Sequence, residues 1–318
     1  MDCQTSVVIP VYNAAHIIVE QLDSLAQQVN APTFEVVLSD NGSTDNLREV
    51  IAKYHSDFPV RIVDASQVQS PSWARNVGVL AARADLCVFC DADDFVEPHW
   101  LRGHWEAHQQ VPNAVIGAPI LHDKFNSPEV LDAYGVPSGL DEQLRSAPAH
   151  ITRQQDLLPF SGYLPSIPSS NVSIPREAYL AIGGMDSSFV GGSEDTDFIW
   201  RAALAGYEIA MTSVPLINYR LRQTPQMIFK QQRNYQFNKV LLWERYKKTS
   251  MIGPSFKYSL LSLVKALPGL AKSSTRLKAA YTVGGHWGSL KGIVHFRILK
   301  KVPAPMFFTE KDYPHIDR

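Results

Sequence analysis

Along the first 120 residues, short β-branched runs alternate with stretches whose apolar positions recur every three or four residues. Residues 6–10, 34–39, 60–64, 86–90 and 114–118 read as strands, and 14–28, 46–55, 72–83 and 98–110 as the helices between them. Such alternation predicts an α/β fold with a mostly parallel sheet covered on both faces and ligands at the carboxyl ends of its strands. Residues 121–168 are rich in Pro, Ser and Gly and lack a clear period, which predicts a long loop region with short elements, a lid or substrate wall. Order returns with a strand over 169–174, a helix opening at Pro175-Arg176-Glu177 and stopped by Gly183-Gly184, a helix over 195–205 ended by Gly206, and a strand over 208–213. A long helix is expected over 227–248. Beyond it, to about residue 301, short helices are expected, broken by Pro254, Pro268, Gly284 and Gly285.

The 318 residues suffice for one large α/β domain with an appendage, so no disulfide or metal staple is needed to complete a core. Three cysteines cannot make a secreted disulfide framework and point to a reducing compartment. Met1-Asp2-Cys3 runs into an apolar strand without a basic leader, and the longest apolar stretch, 258–271, is interrupted by Lys265 and Pro268; neither a signal peptide nor a spanning helix is expected. The net charge of −1 conceals a division. Residues 1–225 carry 13 Lys and Arg against 27 Asp and Glu, whereas residues 226–318 carry 17 against 4. An acidic body that suits a cation is thus joined to a basic tail that suits an anionic surface.

Three acidic clusters sit at the ends of expected strands or loops. Asp40-Asn41-Gly42-Ser43-Thr44-Asp45 is either an ordinary turn entering a helix or part of a site. Asp91-Ala92-Asp93-Asp94 follows an apolar strand; in extended chain Asp91 and Asp93 share a side, which suits Mg²⁺ or Mn²⁺ completed by phosphate oxygens and water. The alternative is a solvated acidic turn with Asp94 as the cap of the next helix. Glu194-Asp195-Thr196-Asp197 opens a helix after Gly191-Gly192, where acidic residues favour the helix dipole or, facing a pocket, supply a general base. Asp197 and Arg201 are spaced as an i, i+4 ion pair.

The order of these motifs resembles the family-2 glycosyltransferases of the GT-A fold. The resemblance runs over about residues 5–225, through Val7-Val8-Ile9-Pro10-Val11-Tyr12-Asn13, the Asp40 cluster, Ala74-Arg75-Asn76-Val77-Gly78, the Asp91 cluster, and Gly183-Gly184-Met185-Asp186 leading to Glu194-Asp195. It implies one large Rossmann-like nucleotide-binding domain over 1–225, with a donor half to about 120 and an acceptor half over 121–225, followed by a basic helical extension over 226–318. It also implies inverting transfer from a nucleoside-diphosphate sugar, a uridine donor favoured, to a hydroxyl of a glycan or lipid-linked acceptor. By the resemblance Pro10, Val11 and Tyr12 line the base pocket with Asp40 and Asn41, Arg75 lies near the nucleotide, and Asp91 and Ala92 near its ribose. Asp93, with Asp91 or Asp94 as the alternative, holds Mn²⁺ or Mg²⁺; Asp195 is the base, and Glu194 contacts donor or acceptor. Direct displacement needs a cation for the departing diphosphate and one base opposite it, and no second catalytic carboxylate. Asn41 stands where many members have Asp, and Gln231-Gln232-Arg233-Asn234-Tyr235 is only faintly similar to the motif of processive synthases, so a non-processive enzyme of envelope polysaccharide or glycolipid synthesis is expected.

Between Lys247 and Lys301 there are eleven Lys or Arg and no acid, with apolar residues interspersed; Lys257, Lys265, Lys272, Arg276 and Lys278 are the expected contacts of a cytoplasmic enzyme lying peripherally on an anionic membrane. The alternative is that they face the acidic body. Cys87 and Cys90, at i and i+3 of a strand, read as buried thiols; His104 and His108 read as surface or packing residues because position 105 breaks an HExxH pattern, and Trp100 and Trp105, on the same helix, as core. The first strand lacks GxGxxG, which disfavours a dehydrogenase, and no glycine-rich basic loop follows it, which disfavours a sugar nucleotidyltransferase. A non-catalytic nucleotide-sugar-binding, membrane- or polyanion-binding scaffold is the competing reading; nucleic acid is not expected as a partner.

Overall fold

The apolar alternation resolves into eleven strands among residues 3–308, the range described by a computed structural model; Met1 and Asp2, on which the expectation of no signal peptide falls, lie outside the described residues. The strands are β1 (Thr5–Val11), β2 (Phe34–Asp40), β3 (Val60–Asp64), β4 (Leu86–Phe89), β5 (Phe95–Val96), β6 (Ala114–Gly117), β7 (Ile120–Leu121), β8 (Ile151–Arg153), β9 (Val172–Pro175), β10 (Glu208–Thr212) and β11 (Ile217–Asn218). The helices are α1 (Ile18–Ala26), α2 (Leu47–Lys53), α3 (Pro71–Ala81), α4 (Trp100–Gln110), α5 (Pro128–Tyr134), α6 (Leu140–Ser146), α7 (Arg176–Ala181), α8 (Glu194–Leu204), α9 (Pro225–Tyr246), α10 (Phe256–Ala266) and α11 (Arg276–Gly292).

Eight strands form one sheet in the order β3-β2-β1-β4-β9-β6-β10-β8. The pairs β3/β2, β2/β1, β1/β4 and β6/β10 are parallel, while β9 is antiparallel to both β4 and β6, and β8 closes the edge antiparallel to β10. The chain winds from β1 to β2 and β3 on one side and to β4 on the other. This reversal opens a crevice at the carboxyl ends of β1 and β4, where open sheets bind ligands. A small sheet, β5-β11-β7, stands beside that crevice and carries the chain back over it.

The period of two sends alternate side chains of β1 to opposite faces. Val7, Ile9 and Val11 join Ile18, Leu22 and Leu25 of α1 in one buried cluster, whereas Val8 joins Phe89, Tyr179, Phe198 and Trp200 in the other. Val240, Leu241 and Leu242 of α9 and Ile293 and Phe296 belong to that second cluster, so the C-terminal helices share a core with the sheet. The motif glycine Gly78 permits the packing of α3 on the sheet: a Cβ there would lie 2.4 Å from Ser39 Oγ and 2.5 Å from Val8 Cγ1.

Two expectations are corrected. Gly284 and Gly285 do not break a helix; α11 runs straight through them. Gly284, Gly288 and Gly292 recur every four residues along the side facing α9, and a Cβ would lie 2.6 Å from the Phe229 carbonyl at Gly284 and 2.1 Å from that of Arg233 at Gly288. The glycines are there to let two backbones approach, which outweighs their poor helix propensity. Residues 14–17 do not extend α1 to Ala14, because Asn13, at φ 51°, turns the chain back toward the loop after β2. His104 and His108 are packing residues, hydrogen-bonded to Ser173 Oγ at 2.8 and 2.9 Å, and burial drives them down to about 3 and about 4, so both are neutral. Cys87 and Cys90 are buried free thiols.

Candidate active site

The floor of the crevice is made by the loops that leave β1 and β2, which are laced together. Asn13 N–H donates to Ser43 Oγ at 3.0 Å, Thr44 N–H to Asn13 Oδ1 at 2.8 Å, and Ala15 N–H to Asp45 Oδ2 at 2.9 Å. Asp40 ends β2; its Oδ1 accepts from Ser43 N–H at 2.8 Å, and Arg48 stands 3.6 Å from Oδ2. Asn41 gives both amide hydrogens to the carbonyls of Ala65 and Val68, at 2.6 and 2.8 Å, so its amide braces the loop after β3 and only Oδ1 remains for a ligand. Val11 is buried, Pro10 half-buried, and Tyr12 half exposed, an aromatic face at the lip of the crevice.

Asp91–Asp94 is a turn, not extended chain: Asp94 N–H donates to the Asp91 carbonyl at 3.3 Å, and Asp94 Oδ2 accepts from Asp91 N–H at 3.1 Å. Asp94 therefore caps its own loop and not α4, whose first turn begins beyond β5. It is buried, its Oδ1 has no partner, and burial together with Asp91 and Asp93 pushes its carboxyl well above the usual range. Asp93 is the more open carboxylate, its side chain 32% exposed; burial and Asp91 push it up, and Arg222 Nη1 lies 3.4 Å from Oδ2. Asp91 accepts from Arg75 Nη2 at 2.5 Å.

Arg75 is the buried hub. Only 4% exposed, it leaves Nε and Nη1 without partners, and although burial pulls its pKa down, Asp91 and Glu194 outweigh that and hold it protonated. Its neighbour Asn76 bonds the protein frame instead. The Asn76 Oδ1 accepts from Met185 N–H at 2.8 Å and Tyr179 Oη at 2.7 Å, and Nδ2 donates to the Met185 carbonyl at 2.8 Å. These bonds lock α3 to the Gly183-Gly184 turn.

That turn leads to the first turn of α8, entered through Gly191 (φ 83°), Gly192 (φ 144°) and Ser193, which holds a left-handed φ of 72°. A non-glycine in this region is strained and is held there by its surroundings. Burial lifts Glu194, with Asp195 adding and Arg75 opposing, to about 7, and its Oε2 has no partner. Asp195 is also raised by burial, while Thr196 N–H and Oγ1 bond its Oδ1 at 2.7 and 3.3 Å, leaving Oδ2 for chemistry. Asp197 does not face the cleft: it is buried against Arg201 at 2.8 Å and accepts from Tyr246 Oη at 3.0 Å.

Sequence reasoning missed the residues that close the crevice from above. Arg220 donates to the Asp93 carbonyl at 3.0 Å, pairs with Glu20, and stacks on Phe125 at 3.5 Å. Arg222 faces Asp93, and Tyr235 of α9 is pushed up to about 12 by burial together with Asp195 and Glu194. A signal existed: Arg220 and Arg222 are two of only 13 cations in the acidic body. Among the described residues no three His, Cys, Asp or Glu side chains are gathered to hold a metal by themselves. An open Asp93 beside crowded, raised carboxylates fits instead a hard cation completed by ligand oxygens, with Asp93 as the protein donor. The tail cations Lys257, Lys265, Lys272, Arg276 and Lys278 are all exposed. Of the eleven between Lys247 and Lys301, Lys247, Lys278 and Arg297 form ion pairs among the described residues, and just one, Lys278 with Asp132, reaches back to the body.

A crevice at a strand-order reversal of an α/β fold, ringed by carboxylates with buried and half-buried arginines between them, is the candidate site. Residues 6–151 match the model of glycosyl transferase family 2. The validoxylamine A glucosyltransferase of Streptomyces hygroscopicus subsp. limoneus is 31% identical over 223 residues, 65% of this chain and 49% of the relative. The poly(ribitol-phosphate) β-N-acetylglucosaminyltransferase TarS of Staphylococcus aureus strain Mu50 is 34% identical over 102 residues, 30% of this chain and 17% of the relative. The chain spans about half the length of the validoxylamine relatives it matches. In structure it is similar to the mannosyltransferase PcManGT of Pyrobaculum calidifontis in complex with GDP-Man and Mn²⁺, at TM-score 0.60 and 18% identity, over 91% of this chain and 87% of that one. It is also similar to S. aureus TarS 1–349 in complex with UDP-GlcNAc, at TM-score 0.53 and 15% identity, over 93% and 92%. The fold is GT-A.

Proposed function

We propose that the protein is an inverting, non-processive glycosyltransferase that moves a sugar from a nucleoside-diphosphate sugar to a hydroxyl of a glycan or lipid-linked acceptor. The observation that carries this reading is the α8 terminus, where Glu194 and Asp195 are lifted by burial beside a hub arginine that also holds Asp91. Asp195 Oδ2 takes the acceptor proton as the acceptor oxygen bonds to the anomeric carbon; the bond from that carbon to the diphosphate oxygen breaks, and its electron pair leaves with the diphosphate. Attack opposite the leaving group inverts the centre. Arg75 and Arg222 bind the diphosphate, Tyr12 and Asp40 the base, Asp91 the ribose, and Glu194 the donor or acceptor sugar. A divalent cation on Asp93 supplies charge neutralisation for the leaving diphosphate when bound.

The donor half is residues 1 to about 120 and the acceptor half 121–225, with 226–318 as the basic extension. A uridine donor is favoured, supported by the likeness to TarS with UDP-GlcNAc, and Mn²⁺ or Mg²⁺ by the likeness to PcManGT with Mn²⁺. No described helix is long and apolar enough to cross a membrane. The exposed tail cations support peripheral attachment to the cytoplasmic face of an anionic membrane, in envelope polysaccharide or glycolipid synthesis. The test is thermal stability with UDP, GDP and dTDP, each with and without Mn²⁺, on wild type and Asp93→Asn. Metal-dependent stabilisation by one nucleotide, lost in the variant, is expected; a ligand at 100 times its Kd adds about 2.7 kcal/mol. No stabilisation in folded protein sinks the reading.

A further inference from the structure

Between α9, α10 and α11 lies a cavity of about 530 Å³, lined by side chains to which the proposed sugar transfer gives no role. Three polar side chains in its wall are more than nine-tenths buried: Gln232, Ser259 and Ser289, at 4%, 3% and 6% exposure. None of the three side chains has a hydrogen-bond partner among the described residues, although buried polar groups are ordinarily satisfied. The cavity therefore presents unpaired donors to whatever enters it. Lys239 adds a cation; it lies 4.8 Å from the Phe160 ring centroid, has no carboxylate partner among the described residues, and is pulled down by burial. The capping residue Ser255 brings the positive end of the α10 dipole to the same wall, and no acid lines the cavity.

The rest of the wall is mixed, Val240, Pro254 and Tyr281 beside Gln236, Thr282 and His286, and its Ile252 and Tyr258 are 69% and 66% exposed. From there α10 presents Phe256, Leu260, Leu261 and Val264 to solvent, with Lys257 and Lys265 between them. One glycine separates this cavity from the helix contact beside it. Where Gly284 and Gly288 leave no room for a Cβ, one at Gly285 would meet only Gln236 Cγ, at 3.5 Å, so Gly285 opens into the space.

We propose that this cavity binds the net-anionic phosphate head of a membrane phospholipid of the phosphatidylglycerol type, its chains leaving over the exposed face of α10. Lys239 and the unpaired donors take the phosphate oxygens. The site deepens the acceptor side of the proposed transferase and rests on that reading for its use, since it places the acidic crevice beside a bilayer.

The experiment is calorimetric titration of the whole chain with dihexanoyl phosphatidylglycerol below its micelle concentration, against dihexanoyl phosphatidylcholine and glycerol 3-phosphate. The phosphatidylglycerol should bind at least about tenfold more tightly than either comparison. Gly285→Leu fills the cavity, favours the helix and should abolish binding without lowering the Tm; Lys239→Gln should weaken it about tenfold, and Lys300→Gln not at all. Equal binding of glycerol 3-phosphate would make this a free-phosphate site, equal binding of phosphatidylcholine a lipid groove indifferent to the head's net charge, and retained binding in both cavity variants would place the lipid elsewhere; each overturns the proposal. Nucleotide-dependent stabilisation, measured on the same variants, separates the two readings. Lipid binding lost with nucleotide stabilisation kept isolates the lipid site; lipid binding without any nucleotide effect in wild type removes the transferase and leaves the lipid site.

Discussion

Glu194→Gln removes one charge and almost no volume from the first turn of α8, and its effect on stability should depend on pH in a way no surface carboxylate would show. Burial and Asp195 raise this carboxyl from 4.5 to about 7 against the pull of Arg75. Because the folded pKa is the higher one, the folded state binds the proton more tightly than the unfolded chain does. The stabilisation is full below about pH 4.5, is lost as pH rises, and is gone above about 7. At about 1.4 kcal/mol per pH unit, the ionised side chain costs the wild type about 1.4 kcal/mol at pH 5.5 and about 3.5 kcal/mol at pH 8.5. Glutamine does not ionise. The variant's melting temperature should therefore gain on the wild type by a few degrees between pH 5.5 and 8.5, at about 2 °C or more for each kcal/mol, while transfer activity falls. Scanning calorimetry at the two pH values, with activity measured alongside, checks this. A difference between variant and wild type that stays flat across that interval would refute the reasoning, since it would mean that Glu194 titrates like an exposed carboxylate.

Arg222→Ala should weaken nucleoside-diphosphate binding about tenfold, by about 1.4 kcal/mol, with the Tm of the free protein unchanged because the arginine is 40% exposed; a titration with UDP or GDP reads it. Asn76→Ala should lose about 2–4 kcal/mol in urea unfolding, since it strips buried partners from Tyr179 Oη and Met185 N–H. Gly288→Ala should cost about 2–3 kcal/mol by forcing α11 away from the Arg233 carbonyl, 2.1 Å from the new Cβ. Chelation with EDTA should remove nucleotide-induced stabilisation and leave the Tm of the free protein in place, which melting curves on the same sample show.

The parallel half of the sheet is legible in the sequence because each of its strands is an apolar run bounded by turn residues; β3 falls on residues 60–64 as the pattern predicts. What the pattern does not carry is direction. Residues 172–175 look like any other buried strand, and only the register, with Leu86 opposite Pro175, Phe89 opposite Val172 and Ile116 opposite Ser173, shows that β9 runs antiparallel between β4 and β6. Gly284 and Gly285 look alike in sequence, and no local property reveals that the first faces a backbone and the second a cavity. The turn at Asp91 reads as extended chain because alternation continues through Asp91-Ala92-Asp93, while the bond that bends it, from Asp91 N–H to Asp94, pairs an acid with a backbone three residues away.

The structure also separates two kinds of residue that motif order treats alike. Asn76, Asp186 and Asp197 are as much a part of the motifs as Arg75 and Asp195, yet each is fully or nearly fully buried and spends its polar atoms on protein: Asn76 on Met185, Asp186 on Arg245 and Ser188, Asp197 on Arg201 and Tyr246. Arg75, Glu194 and Asp94 are different, for each keeps a buried nitrogen or oxygen with no partner. A buried unpaired polar atom costs about 1–3 kcal/mol, more when charged, so four of them around one crevice, two on Arg75 and one each on Asp94 and Glu194, can be sustained only because the frame holds them there. The Asn76 contacts fix α3 to the glycine turn, the Asp186 contact with Arg245 fixes the segment after that turn to α9, and this segment leads to the start of α8. The residues that do no chemistry are thus the reason the others can remain unsatisfied until a ligand arrives.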